Sequence, residues 1–321
     1  MLSLAESQKR LYEKLCSDLG ETIIGFLQDR NVHEIMLNPN GELWIDSSER
    51  GQIHAGYLSV GQSTSILNSI AGIHGLIVSA LHPRLETDLP YFSPMKGERF
   101  TGAVPPIVSS PCFTIRKRCE MVMTLDDYVQ SQRMTLGQAN VLRQLIHTRK
   151  NILVCGGPGS GKTTLTNALI DEAVKTDSQQ RFLILEDVPE LQCKARNSVA
   201  MLTSESVSMR DLLHAAMRMR PDRILIGEVR GREALDLLKA WNTGCPGGVC
   251  TVHANGAEEA IQRLIDLSME AGLSQPPWSL LQHTVDAVAA VVRRQHQKGF
   301  VGEIVSIKGR SDEKILLEIL G

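Results

Sequence analysis

The sequence predicts an α/β fold in which a domain with a mainly parallel sheet is preceded by a smaller α+β domain. After about residue 135, short apolar segments alternate with segments of helical periodicity. The apolar segments lack the alternation of a half-exposed strand, so we expect them to be covered on both faces, as in a parallel sheet. Before that point the chain contains hairpin signals and a stretch rich in proline and glycine, which is typical of a mixed domain.

The length and composition fit this two-domain interpretation. The chain has 321 residues, with 42% hydrophobic and 22% charged residues, as expected for folded domains of ordinary size. We place an N-terminal domain at 1–123, a linker at 124–134, where the apolar pattern thins, and the second domain at 135–321. Lysine and arginine number 34 against 36 acidic residues, a net charge of −2. That balance argues against a protein that coats nucleic acid through bulk charge.

The chain shows no sign of a membrane span or a secretion signal. No segment approaches the ~20 apolar residues that cross a bilayer, and the charged N-terminus lacks the apolar core of a signal peptide. We therefore expect a cytoplasmic protein. Seven cysteines without a C-x-x-C pair are expected to be reduced thiols.

The first domain is expected to contain helices, a hairpin and short extended segments. In chain order these are a helix over 3–30 that breaks at Gly20, a hairpin of 32–37 and 42–46, a helix over 60–75, and strands over 98–104 and 112–116.

The second domain is expected to alternate strands and helices. Thr135 is placed to cap a helix that runs to about 148. The strands are expected at 151–155, 182–186, 223–227 and 248–252, the helices at 161–176, 208–219, 231–242 and 256–271, and two or three more strands between 285 and 320.

A glycine-rich segment is the strongest functional signal. Gly156–Thr163 matches G-x-x-x-x-G-K-[ST] and lies between an apolar strand and a helix. In such a P-loop, backbone N–H groups surround the phosphates, Lys162 adds a positive charge, and the Thr163 hydroxyl is placed for Mg²⁺. The residues predicted to bind ATP here are Gly157, Pro158, Gly159, Ser160, Gly161, Lys162, Thr163 and Thr164.

Acidic and basic side chains follow or flank the neighbouring predicted strands. Glu228 ends the apolar segment that starts at Ile224, so it could hold the hydration shell of Mg²⁺ or orient the attacking water. Three further carboxylates follow another strand: Glu186, Asp187 and Glu190. His253 ends a fourth strand, where it could bond a phosphate oxygen or have a structural role. Four arginines could neutralise phosphate charge or lie solvated at helix ends: Arg218, Arg220, Arg230 and Arg232.

Together these segments resemble the secretion traffic ATPases of the type II/IV secretion superfamily, over nearly the whole chain. The matching motifs are a Walker A motif, an Asp box at 185–190, a Walker B motif that ends in Gly227-Glu228, and a His box at 243–253. The Asp and His boxes are specific to that superfamily, whereas a Walker A motif alone is not. The resemblance implies a RecA-like P-loop NTPase domain and an N-terminal domain that covers the nucleotide.

The resemblance also implies an activity and partners. We expect a homohexameric, Mg²⁺-dependent ATPase that powers a conjugative transfer or type IV secretion machine. Its partners would be inner-membrane components, at the cytoplasmic face of that membrane, with no direct contact to nucleic acid. Two alternatives stay open. A RecA-like nucleic-acid translocase or helicase would share the core, although aromatic residues make up 4% of the chain. The second alternative is a nucleotide-gated scaffold, a ring that changes shape on binding nucleotide without hydrolysing ATP.

The resemblance assigns roles to individual residues. Glu190 becomes the activator of the catalytic water and Glu228 the Walker B acid, which holds the metal with Thr163. Arg99 and Arg116 lie in segments that resemble the phosphate-contacting elements of the N-terminal domain. The full sets are Lys162, Glu190, Glu228 and His253 as catalytic residues, with Arg99, Arg116 and Arg218 added to the nucleotide site. Cys245 stands where the His box usually has its first histidine.

Overall fold

The computed structural model describes residues 4–47, 50–117, 122–292, 299–311 and 314–321. The chain divides into two compact units, Met1–Glu120 and Met121–Gly321. No helix within the described ranges is long and apolar enough to cross a membrane.

In the part of the first unit that the structure describes, two helices accompany a six-stranded antiparallel sheet. The elements of this unit are α1 (Leu4–Gln28), β1 (Val32–Leu37), β2 (Glu42–Ser47), β3 (Gly51–Tyr57), α2 (Val60–Ile73), β4 (Arg84–Asp88), β5 (Arg99–Ala103) and β6 (Cys112–Arg116). The strand order is β3-β2-β1-β6-β5-β4. Apolar side chains of α1 and α2 form one core with the inward residues of the sheet, among them Ile35, Phe100 and Ile115.

Most of the elements expected in this unit are present. Helix α1 is kinked at Gly20, whose φ of 68° is left-handed, and the β1–β2 hairpin lies where it was predicted. Strands β3 and β4 were not predicted from the sequence. Both are edge strands, β3 has no fully buried residue, and β4 buries Leu85 alone, so neither has the apolar face that a sequence pattern reveals.

The second unit contains an eight-stranded sheet and seven helices within the described residues. Its elements are α3 (Leu125–Gln130), α4 (Leu136–His147), β7 (Ile152–Gly156), α5 (Lys162–Thr176), β8 (Phe182–Glu186), β9 (Ser198–Leu202), α6 (Met209–Met217), β10 (Arg223–Ile226), α7 (Glu233–Asn242), β11 (Val249–His253), α8 (Ala257–Met269), α9 (Trp278–Thr284), β12 (Ala287–Val292), β13 (Phe300–Ser311) and β14 (Lys314–Ile319).

The sheet of the second unit is mainly parallel, as predicted. The strand order is β14-β13-β12-β7-β11-β10-β8-β9. Each pair of neighbours in the series β12-β7-β11-β10-β8-β9 is parallel. The last hairpin, β13 and β14, is antiparallel. Strands β7, β8 and β10 are buried along their whole length, which explains their uninterrupted apolar sequences.

The segment 124–134 differs from the expected linker. It contains α3, and both Leu125 and Tyr128 of this helix are buried in the core of the second unit. Thr124 caps the helix through a hydrogen-bonded box with Asp127. A six-residue helix has too short a periodic pattern to be recognised in a sequence.

Candidate active site

Parallel pairing brings the predicted motifs to one edge of the second sheet. His253 at the end of β11 pairs with Gly156 at the end of β7, and Ile226 of β10 pairs with Leu185 of β8. The segments that follow these strands therefore meet at the carboxyl edge of the sheet, where open α/β sheets bind their ligands.

The phosphate loop connects β7 to the N-terminus of α5. Gly159 and Gly161 have φ values of 63° and 99°, a conformation that a residue with a side chain rarely adopts. Gly161 is also the N-cap of α5, and no side chain caps this helix end. The positive end of the helix dipole thus faces the loop, which suits a phosphate group.

Lys162 is held inside the loop. It is 8% exposed, and its Nζ donates hydrogen bonds to the carbonyl oxygens of Gly156 at 2.8 Å and Gly157 at 3.1 Å. Its third contact is Nδ1 of His253 at 3.2 Å. The backbone carbonyl groups of the loop therefore hold the ammonium group of Lys162 in place.

His253 bridges this lysine and the Walker B acid. A lysine ammonium group can only donate, so Nδ1 of His253 accepts, and the ring hydrogen lies on Nε2. Nε2 lies 3.1 Å from Oε1 of Glu228, to which it donates. The neutral imidazole therefore joins the P-loop to the end of β10.

Glu190 faces the first turn of α5. The hydroxyl of Thr163 donates to Oε2 of Glu190 at 3.0 Å, and Asn167 Nδ2 donates to the Glu190 carbonyl oxygen at 3.2 Å. Glu186, 2% exposed, accepts the N–H groups of Glu190 and Leu191 through Oε1 at 2.8 and 2.7 Å. Glu186 thus fixes the backbone that carries Glu190.

Arg230 lies beside the Walker B acid. Its guanidinium contacts Oε2 of Glu228 at 2.9 Å and a carboxylate oxygen of Asp187 at 3.6 Å. Burial disfavours the charged form, but the hydrogen bond to Glu228 and the surrounding carboxylates outweigh it, so the pKa of Arg230 is raised above its ordinary value. Asp187 is exposed and also accepts from the Thr203 hydroxyl.

The oxygen atoms at this edge fit a magnesium ion that arrives with a nucleotide. The described residues contain no group of three or more His, Cys, Asp or Glu side chains that could hold a metal alone. Mg²⁺ typically uses one or two protein oxygens, substrate phosphates and water. Thr163, Glu190 and Glu228 supply protein oxygens next to the phosphate loop.

The structure places two residues that were singled out in the sequence away from the phosphate loop of their own chain. Arg218 caps the end of α6 and is exposed, and Cys245 lies in a core cluster at 9% exposure. Both precede a strand of the parallel sheet, β10 and β11 respectively, so both lie at its amino edge, opposite the phosphate loop. Burial raises the pKa of the Cys245 thiol. Arg218, which was predicted from the sequence to contact the nucleotide, is therefore not brought to the phosphate loop of its own chain.

Arg99 and Arg116 are paired in the first unit. They lie directly opposite each other on β5 and β6, on the face of the sheet that is not buried. Glu34 of β1 is 3.8 Å from Nε of Arg116. Asp88 of β4 lies opposite Arg99, as Glu34 lies opposite Arg116, so each arginine also has an acidic neighbour across the strands.

Sequence reasoning missed Asn167 and the positioning role of Glu186. Asn167 is 2% exposed on a buried face of α5, and its Oδ1 accepts the N–H of Gln192 at 2.8 Å. The sequence signal that could have revealed Asn167 is a polar residue on an otherwise apolar helix face.

Comparison with known proteins identifies the family. Residues 93–308 match the model of the family described as type II/IV secretion system protein. The chain belongs to this family. The resemblance inferred from the four motifs is therefore confirmed.

Two relatives agree with that assignment, and a solved structure shares the fold. A probable conjugal transfer protein, TrbB, of Sinorhizobium fredii is 44% identical, with 89% of this chain and 87% of the relative aligned. The type IV secretion system protein PtlH of Bordetella pertussis is 32% identical, with 88% and 91% aligned. The ATPase DotB of Legionella pneumophila shares the fold, with a TM-score of 0.65 at 19% identity, over 87% of this chain and 78% of that one.

Proposed function

We propose that this protein is the ATP-hydrolysing subunit of a conjugative transfer or type IV secretion machine. The observation that carries the proposal is the convergence of Lys162, Thr163, Glu190, Glu228 and His253 at one sheet edge. The relatives, which are conjugal transfer and type IV secretion proteins, support the cellular role. The sheet with its P-loop supports a RecA-like core.

Each side chain has a chemical task in this proposal. Lys162 and the N–H groups of the loop bind the phosphates and stabilise the charge that develops during transfer. Glu190, fixed by Glu186, orients a water molecule and takes its proton. When Lys162 turns to the phosphates, His253 takes up a second proton at Nδ1 and donates it to a phosphate oxygen, while Nε2 keeps its bond to Glu228. Mg²⁺, held by Thr163 and Glu228 with the phosphates, would supply charge neutralisation.

The family membership also supports a ring of identical subunits. We propose a homohexamer at the cytoplasmic face of the inner membrane, bound to inner-membrane components of the machine. The N-terminal domain would cover the nucleotide, with Arg99 and Arg116 on its phosphates. A guanidinium suits that task because it stays charged and can contact two phosphate oxygens at once.

One preparation tests the proposal against the helicase alternative. ATP hydrolysis and native mass of the purified protein would be measured with and without nucleotide, Mg²⁺ and single-stranded DNA. We expect Mg²⁺-dependent turnover by a six-subunit species that DNA does not stimulate. DNA-stimulated turnover with a steep salt dependence of DNA affinity would favour a translocase, and binding without turnover would favour a switching scaffold.

A further inference from the structure

Gly299, immediately before β13, lies against the phosphate loop. A Cβ atom added at this position would lie 1.7 Å from the carbonyl oxygen of Ser160 and 2.8 Å from its carbonyl carbon. Both of those atoms belong to the backbone, so no side-chain rotation could relieve the overlap. The contact therefore requires glycine, although the φ angle of Gly299 is not left-handed.

The backbone at the end of β12 borders the same loop. A Cβ on Gly156 would lie 2.5 Å from the carbonyl oxygen of Val291 and 2.4 Å from the Ser160 hydroxyl. Ser160 is 3% exposed, and its hydroxyl has no hydrogen-bond partner among the described residues. The backbone at the end of β12 and the residue that precedes β13 thus pack closely against the phosphate loop.

We propose that Gly299 is a positioning residue for nucleotide binding. The contact holds the Ser160 carbonyl group against β13. In a trans peptide the carbonyl and the following N–H point in opposite directions, so the N–H of Gly161 is turned away from β13 and into the loop, towards the phosphates. Gly299 acts through this peptide and does not touch the nucleotide. The inference rests on the proposed ATP site.

Gly302, three residues later on β13, offers a matched control. A Cβ there would lie 2.9 Å from Cγ2 of Val292, the end of a side chain, and 3.8 Å from the nearest backbone oxygen, that of Ala290. A methyl group at Gly302 thus meets an atom that can shift, whereas the same group at Gly299 meets the loop backbone.

The test compares Gly299→Ala with Gly302→Ala in equilibrium titrations with a fluorescent ATP analogue. We expect the Kd of Gly299→Ala to rise by about tenfold or more, the effect of overpacking one methyl group, and that of Gly302→Ala to stay near the parental value. The hydrogen exchange of 157–164 in the nucleotide-free protein should accelerate in Gly299→Ala alone. Parental affinity and parental exchange in Gly299→Ala would overturn the inference.

A measurement on the unsubstituted protein decides the matter if Gly299→Ala does not fold. Because coupling between two sites is reciprocal, the ATP analogue should slow exchange at 299–302 together with 157–164, and leave β14 unchanged. If the ATP analogue slowed hydrogen exchange at 157–164 but not at 299–302, the inference would be contradicted. A parent protein that binds no nucleotide would instead contradict the proposed function.

Discussion

Glu186 and Glu190 stand four residues apart in one motif, yet their surroundings give them different tasks. Glu186 is buried and accepts hydrogen bonds from two backbone N–H groups, so its carboxylate stabilises the local backbone. Glu190 is partly exposed beside Thr163. A general base must reach the proton that it removes, and of these two acids Glu190 lies at the phosphate loop.

We expect Glu190→Gln to lower kcat by about 10²–10⁴-fold while ATP affinity stays within a few fold of the parent. The amide keeps the shape of the side chain and can still accept from Thr163, but it cannot take up a proton. Steady-state turnover and nucleotide titration measure the two effects. Asp187→Asn, an exposed neighbour, should remain active. A Glu190→Gln protein with parental kcat would transfer the role of the base to another acid.

Cys245→His restores the usual first histidine of the His box, and we expect it to leave kcat unchanged. Cys245 is buried at the sheet edge opposite the loop, so a larger side chain there should overpack the core and cost about 1–3 kcal/mol of stability. Turnover at low temperature and thermal unfolding separate the two effects. A rise in kcat would show that this position reaches the chemistry.

At the scale of single elements, α3 shows how a short helix is held by its cap. The Thr124 backbone N–H and hydroxyl both donate to Oδ2 of Asp127 at 2.8 Å, and these bonds lower the pKa of that carboxyl. A carboxyl whose pKa is lowered by folding adds stability above its unfolded pKa of about 3.9. That contribution is lost as the pH falls through the lower folded value.

Thr124→Ala should therefore destabilise α3 by about 0.5–2 kcal/mol at pH 7 and by less in acid. The free energy of opening, from hydrogen exchange over 124–131, measures it. Ser131→Ala at the other end of the helix is the control, since its hydroxyl bonds a backbone carbonyl and its effect should not change with pH. If Thr124→Ala lost the same free energy of opening at pH 7 and in acid, the stabilising bond between Thr124 and ionised Asp127 would be contradicted.

The elements also show what a sequence pattern can reveal. Strands β7, β8, β10 and β11 were predicted because both of their faces are covered, which leaves an uninterrupted apolar sequence. Edge strand β9 has no fully buried residue, so it carries no such signal. Helix α3 is too short for its periodicity to show.

At the scale of the whole molecule, topology decides which predicted residues meet. Lys162, Glu190, Glu228 and His253 follow strand ends, so parallel pairing alone brings them to one edge. Arg218 and Cys245 are near Glu228 and His253 in sequence, but they precede strands β10 and β11. Closeness in sequence does not reveal at which edge of a sheet a residue lies, and Arg218 was therefore included in the predicted nucleotide site.

The proposed nucleotide contact of the first unit gives a prediction at this scale. Arg99→Ala and Arg116→Ala should each weaken ATP affinity by about 1–3 kcal/mol, the value of a charge-assisted hydrogen bond. Titration measures it. Arg84→Ala, an exposed arginine of the same sheet that pairs with Glu86, should bind as the parent does. Parental ATP affinity in both test variants would contradict the proposed contact between these two arginines and the nucleotide.

The most direct test of the proposed ATPase is steady-state hydrolysis of Mg²⁺–ATP by the parent and by Lys162→Ala. Lys162 donates to the loop carbonyls of Gly156 and Gly157, so it is the fixed positive charge at the proposed phosphates. We expect its loss to lower turnover by at least about 10²-fold while both proteins unfold at similar temperatures. Equal rates of ATP hydrolysis by the two folded proteins would contradict the assignment of the site.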